Sequence, residues 1–208
     1  MKKINTGYFL LACAALAGMS LSTVASAADA PKAAETCVAC HGKDGNSTDA
    51  NVPSIASYSE EYLERSLTRY KNKERPCVES EYLFGSKKGT KTDMCKVAGE
   101  LSESDVTQIG AYFVAQTFVR TPQTVDAELA KKGKSVYKLK CYTCHSEDGG
   151  FPGDHAGILA GQKMAYIRQQ IKFFKEGKRP APKKMLPKLE ALSDGDVEAV
   201  IHYFGSIQ

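Results

Sequence analysis

The sequence predicts an all-α protein made of two tandem, related domains, and three observations carry that expectation. The pentapeptide Cys-x-x-Cys-His occurs twice, as Cys37-Val38-Ala39-Cys40-His41 and as Cys141-Tyr142-Thr143-Cys144-His145, 104 residues apart. The residues around the two copies match each other along most of each half. Apolar residues near the end of each half recur at helical spacing, and no stretch shows the sustained alternation of a strand.

The chain opens on an export signal. Lys2 and Lys3 precede an apolar stretch from about Tyr8 to Leu21, and Ala25-Ser26-Ala27 is a small-x-small cleavage site. Residues 1–27 are therefore expected to be removed. Leu10-Leu11-Ala12-Cys13 resembles a lipidation box, but it falls inside the apolar core of the signal, and a better cleavage site follows. No other apolar stretch is long enough to span a bilayer. The mature chain is thus expected in the periplasm, an oxidising compartment.

The remaining 181 residues divide into expected domains at 28–120 and 121–208. Each carries one attachment signature of a c-type haem. Two thiols three apart on a helical turn can form thioether bonds to the two vinyl groups of one haem, and the following His is then held on the axial face of the iron. Domains of about 90 residues have thin cores, and a covalently held, mostly apolar haem would supply the missing interior of each. Neither half is expected to fold stably without it.

A shift of 104 superposes His41-Gly42-Lys43-Asp44-Gly45 on His145-Ser146-Glu147-Asp148-Gly149, Tyr62 on Tyr166, Leu67 on Ile171 and Arg75-Pro76 on Arg179-Pro180. The offset then drops to 91, which brings Met94 onto Met185, Leu101-Ser102 onto Leu192-Ser193 and Phe113 onto Phe204. The first half therefore carries 13 extra residues between Pro76 and Met94. Val197, Val200, Ile201 and Phe204 follow the i, i+3, i+4, i+7 pattern of an amphipathic helix. Ser193-x-x-Asp196 and Ser102-x-x-Asp105 are its capping start and that of its partner. A helix is expected from Tyr166 to Lys175, closed by Gly177 and Pro180. Another is expected from about Val125 to Lys140, for which the first half has little room.

A second axial ligand is expected for each iron. Met94 and Met185 alone occupy matching positions, each shortly before a capped final helix, and a thioether favours Fe(II). Met164 has no such match and reads as core. Cys95 could itself ligate iron, pair with Cys77 or stay free. The two cysteines bracket the insertion, and a disulfide between them would close a loop of about 19 residues, worth roughly 3 kcal/mol. The outer ring nitrogens of His41 and His145 need acceptors. The Pro53 carbonyl suits His41, and Gly157 stands at the matching place for His145. His202 reads as solvated, and His155 as a surface residue, the alternative being contact with a propionate. Arg75 and Arg179, ahead of Tyr62 and Tyr166, are the expected propionate partners.

The halves differ in charge. Residues 28–121 hold 12 basic and 14 acidic groups, net −2, whereas residues 122–208 hold 14 and 10, net +4. Lys172, Lys175, Lys178, Arg179, Lys183, Lys184 and Lys188 cluster near Met185. They form either a solvated face or a docking surface for an acidic redox partner.

These residues resemble the dihaem cytochrome c4 family over essentially the whole mature chain: both Cys-x-x-Cys-His motifs, Met94 and Met185, Leu159-Ala160-Gly161-Gln162 and Arg179-Pro180. The segment from Ile158 through Lys183-Lys184-Met185 is also similar to the dihaem cytochrome subunit of flavocytochrome c sulfide dehydrogenase. The resemblance implies two class-I-like cytochrome c domains with their haem edges close. It also implies single-electron transfer with redox partners and no substrate chemistry. The partner is a terminal oxidase for a mobile carrier, or a flavoprotein or other sulfur-compound dehydrogenase for a fixed subunit. Nucleic acid is excluded for an exported haem protein, peripheral membrane association stays open, and a haem enzyme would require an open or Cys-ligated iron.

Overall fold

The computed structural model describes residues 30–208, so the expected export signal at 1–27, Cys13 included, lies outside the described residues. A short turn at Lys32–Ala34 leads into α1 (Glu35–His41), and a loop leads to α2 (Glu60–Lys71). The first half continues through β1 (Glu79–Glu81), β2 (Lys91–Asp93), α3 (Met94–Gly99) and α4 (Glu103–Val114). The second half runs α5 (Ala127–Lys140), α6 (Met164–Lys175), α7 (Leu186–Glu190) and α8 (Asp194–Ser206).

Local chemistry fixes where these helices begin. The Ser59 hydroxyl accepts from the Tyr62 amide to cap α2, whose first turn is acidic (Glu60, Glu61) and last turn basic (Arg69, Lys71), matching the helix dipole. Ser102 and Asp105 cap each other reciprocally at α4, and Ser193 accepts from the Asp196 amide at α8. Asp126 caps α5. The His202 Nδ1 also accepts the Asp126 N–H at 2.9 Å, so this histidine ties α8 to the start of α5 rather than standing free in solvent.

The sequence repeat is a structural repeat. Gly45 (φ +77°) and Gly149 (φ +80°) adopt the left-handed conformation open to glycine. Their carbonyls accept from Ile55 and Ala56, and from Leu159 and Ala160. The Ser57 amide donates to Phe113 O at 2.9 Å, and the Gly161 amide to Phe204 O at 2.8 Å. Each half also gathers its own apolar cluster. One is built around Leu63, Leu67, Ile109 and Phe113, and the other around Ile167, Ile171, Ile201 and Phe204.

Two features break the repeat. The insertion folds into an antiparallel hairpin, pairing Glu79 with Asp93 and Glu81 with Lys91. No strand pattern is visible here beforehand, because two three-residue strands are too short to alternate. Cys77 and Cys95 are bonded across the base of the hairpin (S–S 1.95 Å). The second break is α5, which packs along α8; the described residues of the first half hold no helix of its length before the motif. A Cβ on Gly133 would run into the Ala199 carbonyl and approach the Tyr203 Cβ to 2.8 Å, so only glycine permits this crossing. Gly133→Ala is expected to destabilise the second half by roughly 1–3 kcal/mol, read as a lower thermal midpoint of the holoprotein.

Candidate functional site

The α1 helix carries Cys37 and Cys40 one turn apart and ends on His41. All three line one cavity of about 390 Å³ that also admits Met94, the first residue of α3. Val52, Ile55, Leu63, Leu67, Val97 and Ile109 form its apolar walls. The His41 Nδ1–H donates to the Pro53 carbonyl at 2.8 Å. Burial lowers the pKa of His41, against the pull of that hydrogen bond. The ring is therefore neutral with its Nε2 lone pair free, the form a metal ligand requires.

The thiols argue against a redox dithiol, which needs a lowered pKa. Burial pushes Cys37 up to about 12 and Cys141 up to about 11.

Arg75 and Arg179 are buried at the boundary of the halves, 4% and 8% exposed. Each guanidinium stacks over the matched ring of its own half, Tyr70 at 4.2 Å and Phe174 at 4.3 Å. One carboxamide oxygen, Gln170 Oε1, accepts from both, at 3.3 Å and 2.6 Å. Arg179 also donates to the Tyr62 hydroxyl at 3.2 Å, across the boundary. Burial works against the charge of Arg75, but Tyr70, Tyr166 and Tyr62 around it more than offset this and raise its pKa. Neither arginine forms an ion pair with a side chain among the described residues, and both Nε atoms are buried without an acceptor. Buried donors of this kind call for an anionic oxygen partner. With paired cysteines, a neutral histidine, a methionine and an apolar cavity beside Arg75, the donor set fits a haem, whose propionates Arg75 and Arg179 would be placed to hold.

The second motif is built differently. Cys141, Leu159 and Met185 pack against the apolar cluster of that half. The His145 ring makes no hydrogen bond among the described residues, and the Gly157 carbonyl is not its partner. Gly157 instead faces the first half, where an added Cβ would lie 2.9 Å from the Tyr62 hydroxyl. Met164 is buried in the same cluster. His155 is exposed, with Nδ1 3.3 Å from Ser59 Oγ and 3.4 Å from a Glu61 oxygen. The lysine cluster splits. Arg179 points inward, Lys172 and Lys178 pair with Glu176, and Lys175 pairs with Asp194. Lys183, Lys184 and Lys188 are exposed and form no ion pair among the described residues.

Sequence reasoning missed three residues of the second half that reach the first. Gln170 bridges the arginines. Gln162, fully buried, brackets Ser54: its Oε1 accepts from the Ser54 amide at 3.0 Å and its Nε2 donates to the Ser54 carbonyl at 2.8 Å. Lys163 stands where Ser59 stands in the first half, but its side chain does not cap a helix. Its amine is 2% exposed at the residue level and donates to Ser54 Oγ (3.0 Å) and Thr121 Oγ1 (3.4 Å). Only a misfit at the repeat position, Lys for Ser, could have flagged it.

Burial pushes the Lys163 amine down to about 8 from an unfolded value of 10.5. Its charge therefore costs the native state stability below about pH 8. That cost is relieved between about pH 8 and 10.5, because the native state loses the proton before the unfolded chain does. The difference in thermal midpoint between Lys163→Met and the parent is expected to move in the parent's favour from pH 7 to pH 10.5. A pH-independent difference would mean that the amine is not desolvated.

Family models match each half: "Cytochrome c" over residues 27–116 and "Cytochrome C oxidase, cbb3-type, subunit III" over residues 128–204. The fold and the site thus define a tandem c-type cytochrome of two cytochrome c domains, with two covalently bound haems c. Cytochrome c4 of Pseudomonas aeruginosa is 30% identical over 211 residues, covering 93% of this chain and 94% of that protein. The crystal structure of reduced recombinant cytochrome c4 from Pseudomonas stutzeri matches with a TM-score of 0.67 at 30% identity, over 84% of this chain and 95% of that one. The chain belongs to the cytochrome c4 family and is a dihaem electron-transfer protein. A thiosulfate dehydrogenase electron acceptor of Thiomonas intermedia is 28% identical over 209 residues, covering 95% of this chain and 90% of that protein. Among the described residues no helix is long and apolar enough to cross a membrane.

Proposed function

We propose that this is a periplasmic carrier that takes single electrons from a respiratory donor and delivers them to a terminal acceptor such as an oxidase. Domains 28–120 and 121–208 each hold one haem. Cys37 and Cys40 anchor the first, and Cys141 and Cys144 the second. His41 with Met94, and His145 with Met185, are the axial ligands. Each haem, once bound, supplies a one-electron Fe(II)/Fe(III) couple.

The convergence of Cys37, Cys40, His41 and Met94 on one apolar cavity carries this reading. The Pro53 carbonyl orients His41 and raises its donor strength. Met94 and Met185 at the sixth positions stabilise the reduced state and leave no iron site open to substrate. Arg75 and Arg179 hold the propionates. The bond between Cys77 and Cys95 supports this assignment, since it removes Cys95 as a rival ligand.

A second reading makes the chain the electron acceptor of a sulfur-compound dehydrogenase. The Thiomonas relative favours it, as does glycine rather than proline at position 157. A dehydrogenase copurifying stoichiometrically would decide for this reading, whereas rapid reduction of an oxidase by the isolated monomer would decide for the first.

Met185→Ala is expected to leave both haems attached by mass, to lower the potential of one and to let one of the two bind carbon monoxide. Met94→Ala should do the same at the other. A redox titration unchanged by either substitution would remove that methionine from the ligand set.

A further inference from the structure

The insertion hairpin does more than extend the first half. It lies against the first motif: the Leu83 and Phe84 amides both donate to the Ala39 carbonyl, at 2.8 and 3.0 Å, and the Cys40 Sγ lies 3.5 Å from the Glu81 carbonyl. Tyr82 (7% exposed) and Thr92 (8%) anchor it in the interior, and Cys77–Cys95 fixes its base. Ala39 and Cys40, which the hairpin touches, are partly covered, as is Val38, which packs on the first half's apolar cluster. Their counterparts Tyr142, Thr143 and Cys144, which no hairpin overlies, are all exposed.

The same end of the second half is apolar at its centre and basic around it. Leu139 is 76% exposed and Tyr142 58%. Lys138 and Lys140 flank Leu139 in the last turn of α5, and Lys188 lies within electrostatic range of Cys141. None of these three lysines forms an ion pair among the described residues. An exposed apolar centre within unpaired positive charge is the make-up of a transient docking site for a negatively charged surface.

We propose that the Cys77–Cys95 hairpin closes the first motif's edge to redox partners and leaves the Leu139–Tyr142–Cys144 edge as the exchange surface, for a redox protein that presents carboxylates around its own cofactor. A thioether bond places the edge of a haem at the bonded cysteine, so the cover over Cys40 is a cover over that edge. This rests on the haem anchoring given under Proposed function. The exchange moves one electron between two centres and makes or breaks no bond.

Hexacyanoferrate(III), a small anionic oxidant that becomes hexacyanoferrate(II), probes the two edges in stopped flow with the fully reduced holoprotein. Two covalent haems by mass are checked first. Their absence would overturn the anchoring itself, independently of the rates. Lys140→Glu with Lys188→Glu is expected to slow oxidation of both haems by on the order of tenfold at low salt, since electrons from the first domain also leave through the second. Lys87→Glu with Lys88→Glu, the same charge change on the hairpin, should alter the rate by less than about twofold. Replacing residues 80–91 with Gly-Gly in the Lys140→Glu, Lys188→Glu background should restore most of the lost rate, although it removes net positive charge. Equal slowing by the two charge reversals, or no slowing by the first, overturns the proposal. The charge reversals alone decide it if the shortened variant loses its methionine-to-iron band. Acidic redox proteins, tested at low and high salt, should show the same ranking of variants.

Discussion

Two buried guanidinium groups that share one acceptor, with no ion-pair partner among the described residues, are the constraint around which this molecule is arranged. Desolvating a charge costs far more than a protein can leave uncompensated. Arg75 and Arg179 meet part of that cost with stacked rings, tyrosine hydroxyls and the single oxygen of Gln170. Their Nε atoms find no acceptor among the described residues, which is where an anionic guest on each side would bond. Because Gln170 and Tyr62 reach across from opposite halves, the binding of the guests and the docking of the halves are one problem rather than two.

Much of this was legible in the sequence because duplication writes it twice. The two Cys-x-x-Cys-His motifs, the paired methionines and the paired Arg-Pro dipeptides could be aligned, and the matched glycine carbonyls at 45 and 149 show that the alignment holds in space. Helix starts were legible at the serine caps Ser102 and Ser193 but not at Ser59, which caps α2 without an acidic residue three positions on. The residues that join the halves were not. Gln162, Lys163 and Gln170 face Tyr58, Ser59 and Ser66 at the repeat offset, and a contact between non-matching residues leaves no periodic or spacing signal. His202 was misread for a related reason: its partner is a backbone amide 76 residues away.

The halves have diverged in structure. The first has a hydrogen-bonded motif histidine, a disulfide and a hairpin over its motif. The second has α5 as an extra wall, an unbonded histidine ring and an uncovered motif. Burial and hydrogen bonding around a haem set its potential together with ligand identity, and in both respects the two motifs stand in unlike surroundings.

Gln162 treats Ser54 as a strand would treat its neighbour, offering one acceptor and one donor to the same residue. The segment it grips carries the Pro53 carbonyl that orients His41. A protease cut in the connection at residues 120–124 would therefore not yield two autonomous cytochromes. The fragments would stay clasped, and if they were pulled apart the amino-terminal piece would lose the brace behind His41, while the other would be left with the buried Lys163 amine and Arg179 short of their partners across the boundary.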